Sequence, residues 1–291
     1  MLTHTFMHLP GIGKASAARI KDCGLLCWDD ALTAEVIPLK GALLAEFRAG
    51  VEESRERLLA GTAADALWFS DRLPVSEQWR LYPHFRGQAA YVDIETTGLS
   101  FPRGQITTIA LYDGERLKTY VQGRNLDDFV RDIKEYSLLV TWNGRAFDAP
   151  FLRRSFGIEL KMAHLDLFPV FRALGIKGGL KKVEKELGLD RGDLDGVDGY
   201  MAILLWNEYC RTGRESVLDT LLAYNAEDVL SLETLCLHAC ARHGLDLSAQ
   251  PHGSDIDALP LAAATDPTRE ALNPFVADRA LVERLIYQRC F

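Results

Sequence analysis

Apolar positions recur at three- and four-residue intervals through most of residues 1–87, and that period predicts helices. The pattern is clearest in KASAARIKDCG, LKGALLAEFRAGVEESRERLLAG and TAADALWFSDRLP. Pro74, Pro83 and Gly87 punctuate the exit, and from residue 88 the period changes. QAAYVDIETTG and QITTIALYDG predict strands joined by a turn at LSFPRG, and ERLKTYVQG predicts a third strand after the hairpin signal Asp113-Gly114. A helix at LDDFVRDIKEY, an apolar strand at SLLVTWNG, a helix at APFLRRSFG and a strand at HLDLF follow, then helical periodicity to about residue 244. A strand meander followed by alternating helix and strand predicts an α/β fold, a mixed sheet flanked by helices with a helical N-terminal region.

These shifts divide the chain into a helical region over 1–87, a sheet-bearing domain over 88–245, and a tail over 246–291. The tail reads as loosely packed, ending in a short helix at ADRALVERLIYQR. At 291 residues and 48% hydrophobic the composition is that of an ordinary globular protein. No apolar run approaches the roughly 18 residues of a membrane span, and the first residues lack a signal-peptide layout, so the expectation is a cytoplasmic protein without membrane contact. Cys23 and Cys27, and Cys236 and Cys240, lie four apart and would share a helix face. They lack the CxxC spacing of a metal knuckle, and small reduced thiols are the expectation.

The net charge of −8 argues against a nucleic-acid partner until charge is read locally. Between Arg145 and Lys185 stand nine basic residues against four acidic ones, Lys181 and Lys182 among them. Such a stretch is either a phosphate-contacting surface or a solvated helix face.

The candidate chemistry starts at YVDIETTG. Asp93 and Glu95 are two apart on a strand and therefore point the same way, an arrangement that needs solvent, a proton or a cation. Two further segments can bring acids to the same point. Asp148 falls near a helix start after the Asn143-Gly144 turn in VTWNGRAFDAPFL, and Tyr224 and Asp228 share a helix face in LLAYNAEDVLSLETL. Four carboxylates in one place call for about two divalent cations, and hard oxygen donors select Mg2+ or Mn2+ over zinc. Taken singly, Asp148 reads equally as a helix cap and Asp228 as part of a solvated face.

The segments DIETTGL, NGRAFDAPFL and YNAEDVL, in this order, resemble the three exonuclease motifs of the DEDD (DnaQ-like) superfamily on a ribonuclease-H-like fold. Tyr224, four residues before Asp228, resembles the DEDDy branch, and RLYPHFRGQAAYVDIETTGL and HLDLFPVFRALG look closest to the bacterial YprB-like group of predicted exonucleases. The resemblance covers about residues 70–245. It implies a metal-dependent 3′–5′ exonuclease acting on DNA by two-metal hydrolysis. Asp93, Glu95, Asp148 and Asp228 would hold the ions, Asp93 would bridge both, and Tyr224 would orient the attacking water. Thr96, Asn143, Lys181 and Lys182 would contact nucleic acid, although Asn143 reads first as the left-handed residue of its turn. Asp166 in HLDLF reads first as a cap on the end of its strand, with a fifth acid near the site as the other reading. An RNA-processing exonuclease on the same scaffold and a non-catalytic nucleic-acid-binding module are the alternatives.

HLPGIGKASAARI resembles the hairpin and second helix of a helix-hairpin-helix motif, which implies that Gly11, Gly13 and Lys14 contact a DNA phosphate. Only nine residues precede the turn, and a helix-opening turn without a ligand is the other reading.

Overall fold

The side chains of β1 (Ala89–Thr96) divide between two cores in the computed structural model, which describes residues 1–98, 104–189, 191–194, 196–245, 247 and 272–289. Ala89 and Tyr91 enter one apolar cluster and Ala90, Val92 and Ile94 another, as the two-residue period of a strand requires. β1 is the middle of a five-stranded sheet ordered β3-β2-β1-β4-β5. β2 (Ile106–Tyr112) and β3 (Leu117–Val121) extend it antiparallel, and β4 (Leu138–Thr141) and β5 (Ala163–Asp166) extend it parallel. The fold is the α/β mixed sheet with flanking helices that the periodicity predicts. The predicted turn at LSFPRG falls mostly outside the described residues.

Before the sheet come α1 (Lys14–Asp22), α2 (Trp28–Thr33), α3 (Ala42–Ala60), α4 (Ala63–Arg72) and α5 (Tyr82–Phe85). Their apolar faces, with Phe6, Phe47, Phe69 and Trp79, join Tyr91 and Leu165 of the sheet in one continuous cluster. Two buried hydrogen bonds cross the junction. Tyr82 Oη lies 2.8 Å from Tyr91 Oη, and His164 of β5 donates its N–H to Ser70 Oγ of α4 at 3.1 Å. Short α2, which the periodicity does not predict, is started by Asp30, whose Oδ2 accepts the N–H groups of Leu26 and Cys27 at 2.8 and 2.9 Å.

On the opposite face α6 (Asp128–Asp132) and α7 (Asp148–Phe156) contribute Phe129, Phe151 and Leu152 to the cluster with Val92 and Ile94. α8 (Leu167–Ala173), α9 (Leu180–Glu186) and α10 (Gly199–Thr212) lead to α11 (Glu215–Arg242), which is buried along most of its 28 residues. Its C-terminal half packs with α1–α5 and its N-terminal half with α10, so α11 crosses two cores. Among the described residues no helix is long and apolar enough to cross a membrane.

One expectation is revised. The closing helix α12 (Arg279–Arg289) is docked, not loose: Leu281, Val282 and Leu285 are buried against α10 and α11, and Asp278 donates its N–H to Thr220 Oγ1 at 2.9 Å. Upstream of the LPGIG turn, among the described residues, the nine residues hold only the 3-10 stretch Leu2–His4, in keeping with their shortness for the first helix of a helix-hairpin-helix. Gly11 is favoured there for a backbone reason, since its φ is +75°, a left-handed conformation that side-chain-bearing residues rarely adopt.

Candidate metal centre

Asp93 and Glu95 project from one face of β1 toward α11, where the helical period brings Tyr224 and Asp228 to the same side. One ligand oxygen from each of Asp93, Glu95 and Asp228 falls within 4.8 Å of the others, and among the described residues this is the group of acids, histidines or cysteines close enough to share an ion. Neither cysteine pair forms such a group: Cys236 and Cys240 are buried free thiols, and Cys23 is exposed. A bulge between Glu95 and Thr96 shifts the register against β2 at this point, a device that re-aims side chains beside a site.

The cluster is electrostatically loaded. Burial first, then the charges of Asp228 and Glu95, push the Asp93 carboxyl well above its ordinary range. Burial and Asp228 do the same to Glu95. Asp228 behaves oppositely. Burial opposes its ionisation, but Arg191 and Lys181 more than reverse that and hold its carboxyl below the usual range. Lys181 Nζ donates to Asp228 Oδ1 at 2.7 Å and also to Oδ2, and Arg191 donates to Oδ1. Arg191 is braced from behind by buried Glu184, with Nε to Oε2 at 2.7 Å. Both cations also face the Tyr224 ring, at 4.3 Å for Lys181 and 5.6 Å for Arg191. Burial raises the Tyr224 phenol well above its usual pKa, so it remains a protonated donor.

Asp148 is the first residue of α7 and does not cap it. Its Oδ1 accepts the Ile94 N–H of β1 at 3.2 Å, which fixes α7 to the strand between the two acids. Burial pushes its carboxyl up to about 7. The turn leading to it is tightly specified. Asn143 is, among the described residues, the one non-glycine with a left-handed backbone, at φ +60°. Asp166 caps this turn and the end of β5 as expected: its carboxylate accepts N–H groups from Asn143 at 2.8 Å, Arg145 at 3.1 Å and Phe168 at 3.1 Å. Gly144 cannot carry a side chain, because a Cβ would lie 2.2 Å from Thr141 Oγ1.

The acids open into a cleft of about 820 Å³. Asp93, Glu95, Asp148, Tyr224 and Asp228 all line it, with Thr96, Asn143 and Lys181. Its walls add the aromatic faces of Trp142, Phe147, Phe168 and Tyr200 and the cations Arg172 and Lys177. Lys182 is not in the lining and is exposed on α9. Gly11, Gly13 and Lys14 are exposed at the start of α1 and are not part of the cleft.

Sequence reasoning missed three contributors. Asn225 donates through Nδ2 to Asp93 Oδ2 at 2.7 Å while its Oδ1 accepts from Thr108 Oγ1 at 3.0 Å, which fixes the Asp93 carboxylate. An asparagine between Tyr224 and Asp228 on a buried helix was the available signal. Glu184 gave none, because it lies in the Arg145–Lys185 stretch, whose charges suit a solvated face equally well, and Arg191 falls beyond that stretch.

A central strand carrying two acids, a long helix carrying a third and a tyrosine, and a mixed sheet define a domain class that the sequence comparison names. The chain belongs to the RNase_H superfamily: residues 90–240 match its RNase_H_2 family. DNA polymerase 1 of Aeropyrum pernix is 26% identical over 139 residues, covering 47% of this chain and 13% of that protein. The family B DNA polymerase of the archaeon Pyrobaculum calidifontis aligns at 20% identity and a TM-score of 0.36, over 52% of this chain and 26% of that one. The chain therefore spans a small part of the length of either relative.

Proposed function

We propose that the protein is a divalent-metal-dependent nuclease, and specifically a 3′–5′ exonuclease of the DEDDy type that hydrolyses DNA phosphodiester bonds. The observation that carries this reading is the convergence of Asp93, Glu95 and Asp228 within 4.8 Å, beside a buried tyrosine, in a chain of the RNase_H superfamily. The donor set fits Mg2+ or Mn2+, since it is all carboxylate and lacks imidazole or thiolate. Asp93, Glu95 and Asp228 would hold the metal, with Asp148 beside them. The bound metal would supply positive charge to the scissile phosphate and make water a better nucleophile.

The chain's own groups do the rest. Tyr224 offers its O–H to the attacking water, and Asn225 keeps the Asp93 carboxylate in one orientation. Trp142, Phe147 and Phe168 offer faces on which unpaired bases stack, and Lys177 and Arg172 offer charge to the phosphates. Similarity to DNA polymerase 1 supports DNA over RNA as substrate. The N-terminal turn, with exposed Lys14, supplies a second phosphate contact away from the cleft.

The test is incubation of the chain with Mn2+ and 5′-labelled DNA and RNA, single- and double-stranded. The expected result is stepwise shortening of DNA from the 3′ end, lost in Asp93→Ala. Internal nicking, preference for RNA, or no cleavage with any divalent ion would overturn the corresponding part of the proposal.

A further inference from the structure

Two cations stand on Asp228, and the fold holds them in different ways. The Arg191 side chain is 7% exposed and its partner Glu184 is 1% exposed, so withdrawing Arg191 would strand a buried carboxylate. The Lys181 side chain keeps 33% of its surface in solvent and lines the cleft. It is the second residue of α9, a helix that begins at Leu180 after Gly178 and Gly179. Its flexible stem can carry the ammonium into water while the helix stays in place. A divalent ion arriving at Asp228 meets an oxygen pair already occupied by positive charge, and only one of the two occupants has somewhere to go.

Resting on the metal-centre reading above, we propose that Lys181 is a displaceable counter-ion whose place on Asp228 the metal takes, and that Arg191, braced by Glu184, is a fixed positioning residue that keeps this carboxylate turned toward Asp93 and Glu95. The two lysine and arginine charges then act on metal binding with opposite signs. Simple repulsion treats them alike, because either cation would hinder an incoming ion and removal of either would tighten it. Under the proposal, loss of Lys181 removes a competitor, whereas loss of Arg191 frees Asp228 to turn away.

The experiment is calorimetric titration of Mn2+ into the full chain without nucleic acid, comparing wild type with Lys181→Met, Arg191→Met and Arg191→Lys. Lys181→Met is expected to bind Mn2+ about tenfold more tightly, the order set by one unit charge a few ångströms from the ion after solvent screening. Arg191→Met is expected to bind several-fold more weakly, with partial recovery in Arg191→Lys. If thermal melting shows that Arg191→Met does not fold, Glu184→Gln/Arg191→Met removes the stranded carboxylate along with its partner and takes its place. Equal or weaker binding in Lys181→Met overturns the proposal whatever the arginine variants do, and so does tighter binding in a folded Arg191 variant. Absence of any Mn2+ binding by wild type refutes the metal centre itself, an outcome distinct from wild-type binding that Lys181→Met leaves unchanged.

Discussion

Glu95→Gln and Asp228→Asn each replace one acid of the same cluster by its neutral amide, yet they should move the stability of the metal-free protein in opposite directions. Two carboxylate oxygens at the 4.8 Å limit of the cluster repel by roughly 3 kcal/mol at an effective dielectric constant of about 20. Glu95 is buried and feels Asp228 and Asp148 as like charges, with Lys181 and Arg191 offsetting part of that. Its neutral isostere should therefore stabilise the fold by about 1–2 kcal/mol. Asp228 is the carboxylate on which both cations rest, and removing one partner of a buried ion pair costs about 3–5 kcal/mol when nothing replaces it. Here Arg191 retains Glu184 and Lys181 can reach solvent, so about 2 kcal/mol is the expected loss in Asp228→Asn. Urea denaturation in EDTA reads both values directly. Repeated at Mn2+ about 100-fold above its Kd, wild type should gain about 2.7 kcal/mol by mass action, and neither variant should match it. Destabilisation of the metal-free protein by both substitutions, or stabilisation by both, would refute the charge arrangement.

Three further outcomes are expected. Tyr224→Phe should lower the cleavage rate by about 10²–10³ while leaving the Mn2+ titration unchanged, and loss of Mn2+ binding would instead make Tyr224 a ligand. Lys14→Glu should weaken DNA binding on every sequence and reduce the slope of log K against log salt by about 1, whereas an unchanged slope would leave the N-terminal turn a packing feature only. Burial holds His8 and His164 neutral, with pKa values lowered to about 3, and His84 to about 4. The unfolded chain protonates these rings first, so their contribution is complete above pH 6.5 and falls away from there down to about pH 3 for His8 and His164 and about pH 4 for His84, by roughly 2 kcal/mol per ring at pH 5. Urea midpoints measured from pH 7.5 to 5 should therefore be less steep in His8→Asn than in wild type.

The strands and long helices were legible because their burial is one-sided or two-sided in simple ways. β1 alternates between two cores, and its two acids interrupt an apolar run. Tyr224 and Asp228 were legible from helical spacing alone. Asn143 and Asp166 were legible because a left-handed turn and a strand-end cap have local signatures. Arg191 was not, because what distinguishes it is burial against Glu184 and Asp228, residues 7 and 37 positions away. The docking of α12 escaped for the same reason: Leu281, Val282 and Leu285 are too sparse to mark a buried face without α10 and α11 in view.

The hydrogen bond from His164 to Ser70 has a consequence for any shortened form of the chain. β5 ends the sheet, and α4 covers its outer side. Without that helix the strand would present unsatisfied amide and carbonyl groups along an open border, which is a template for pairing with another chain. A fragment beginning near residue 88 should therefore self-associate through β5, emerging from size exclusion as dimers or larger species. Apparent loss of DNA affinity in such a fragment would report blocked edges and aggregation as much as any missing contact.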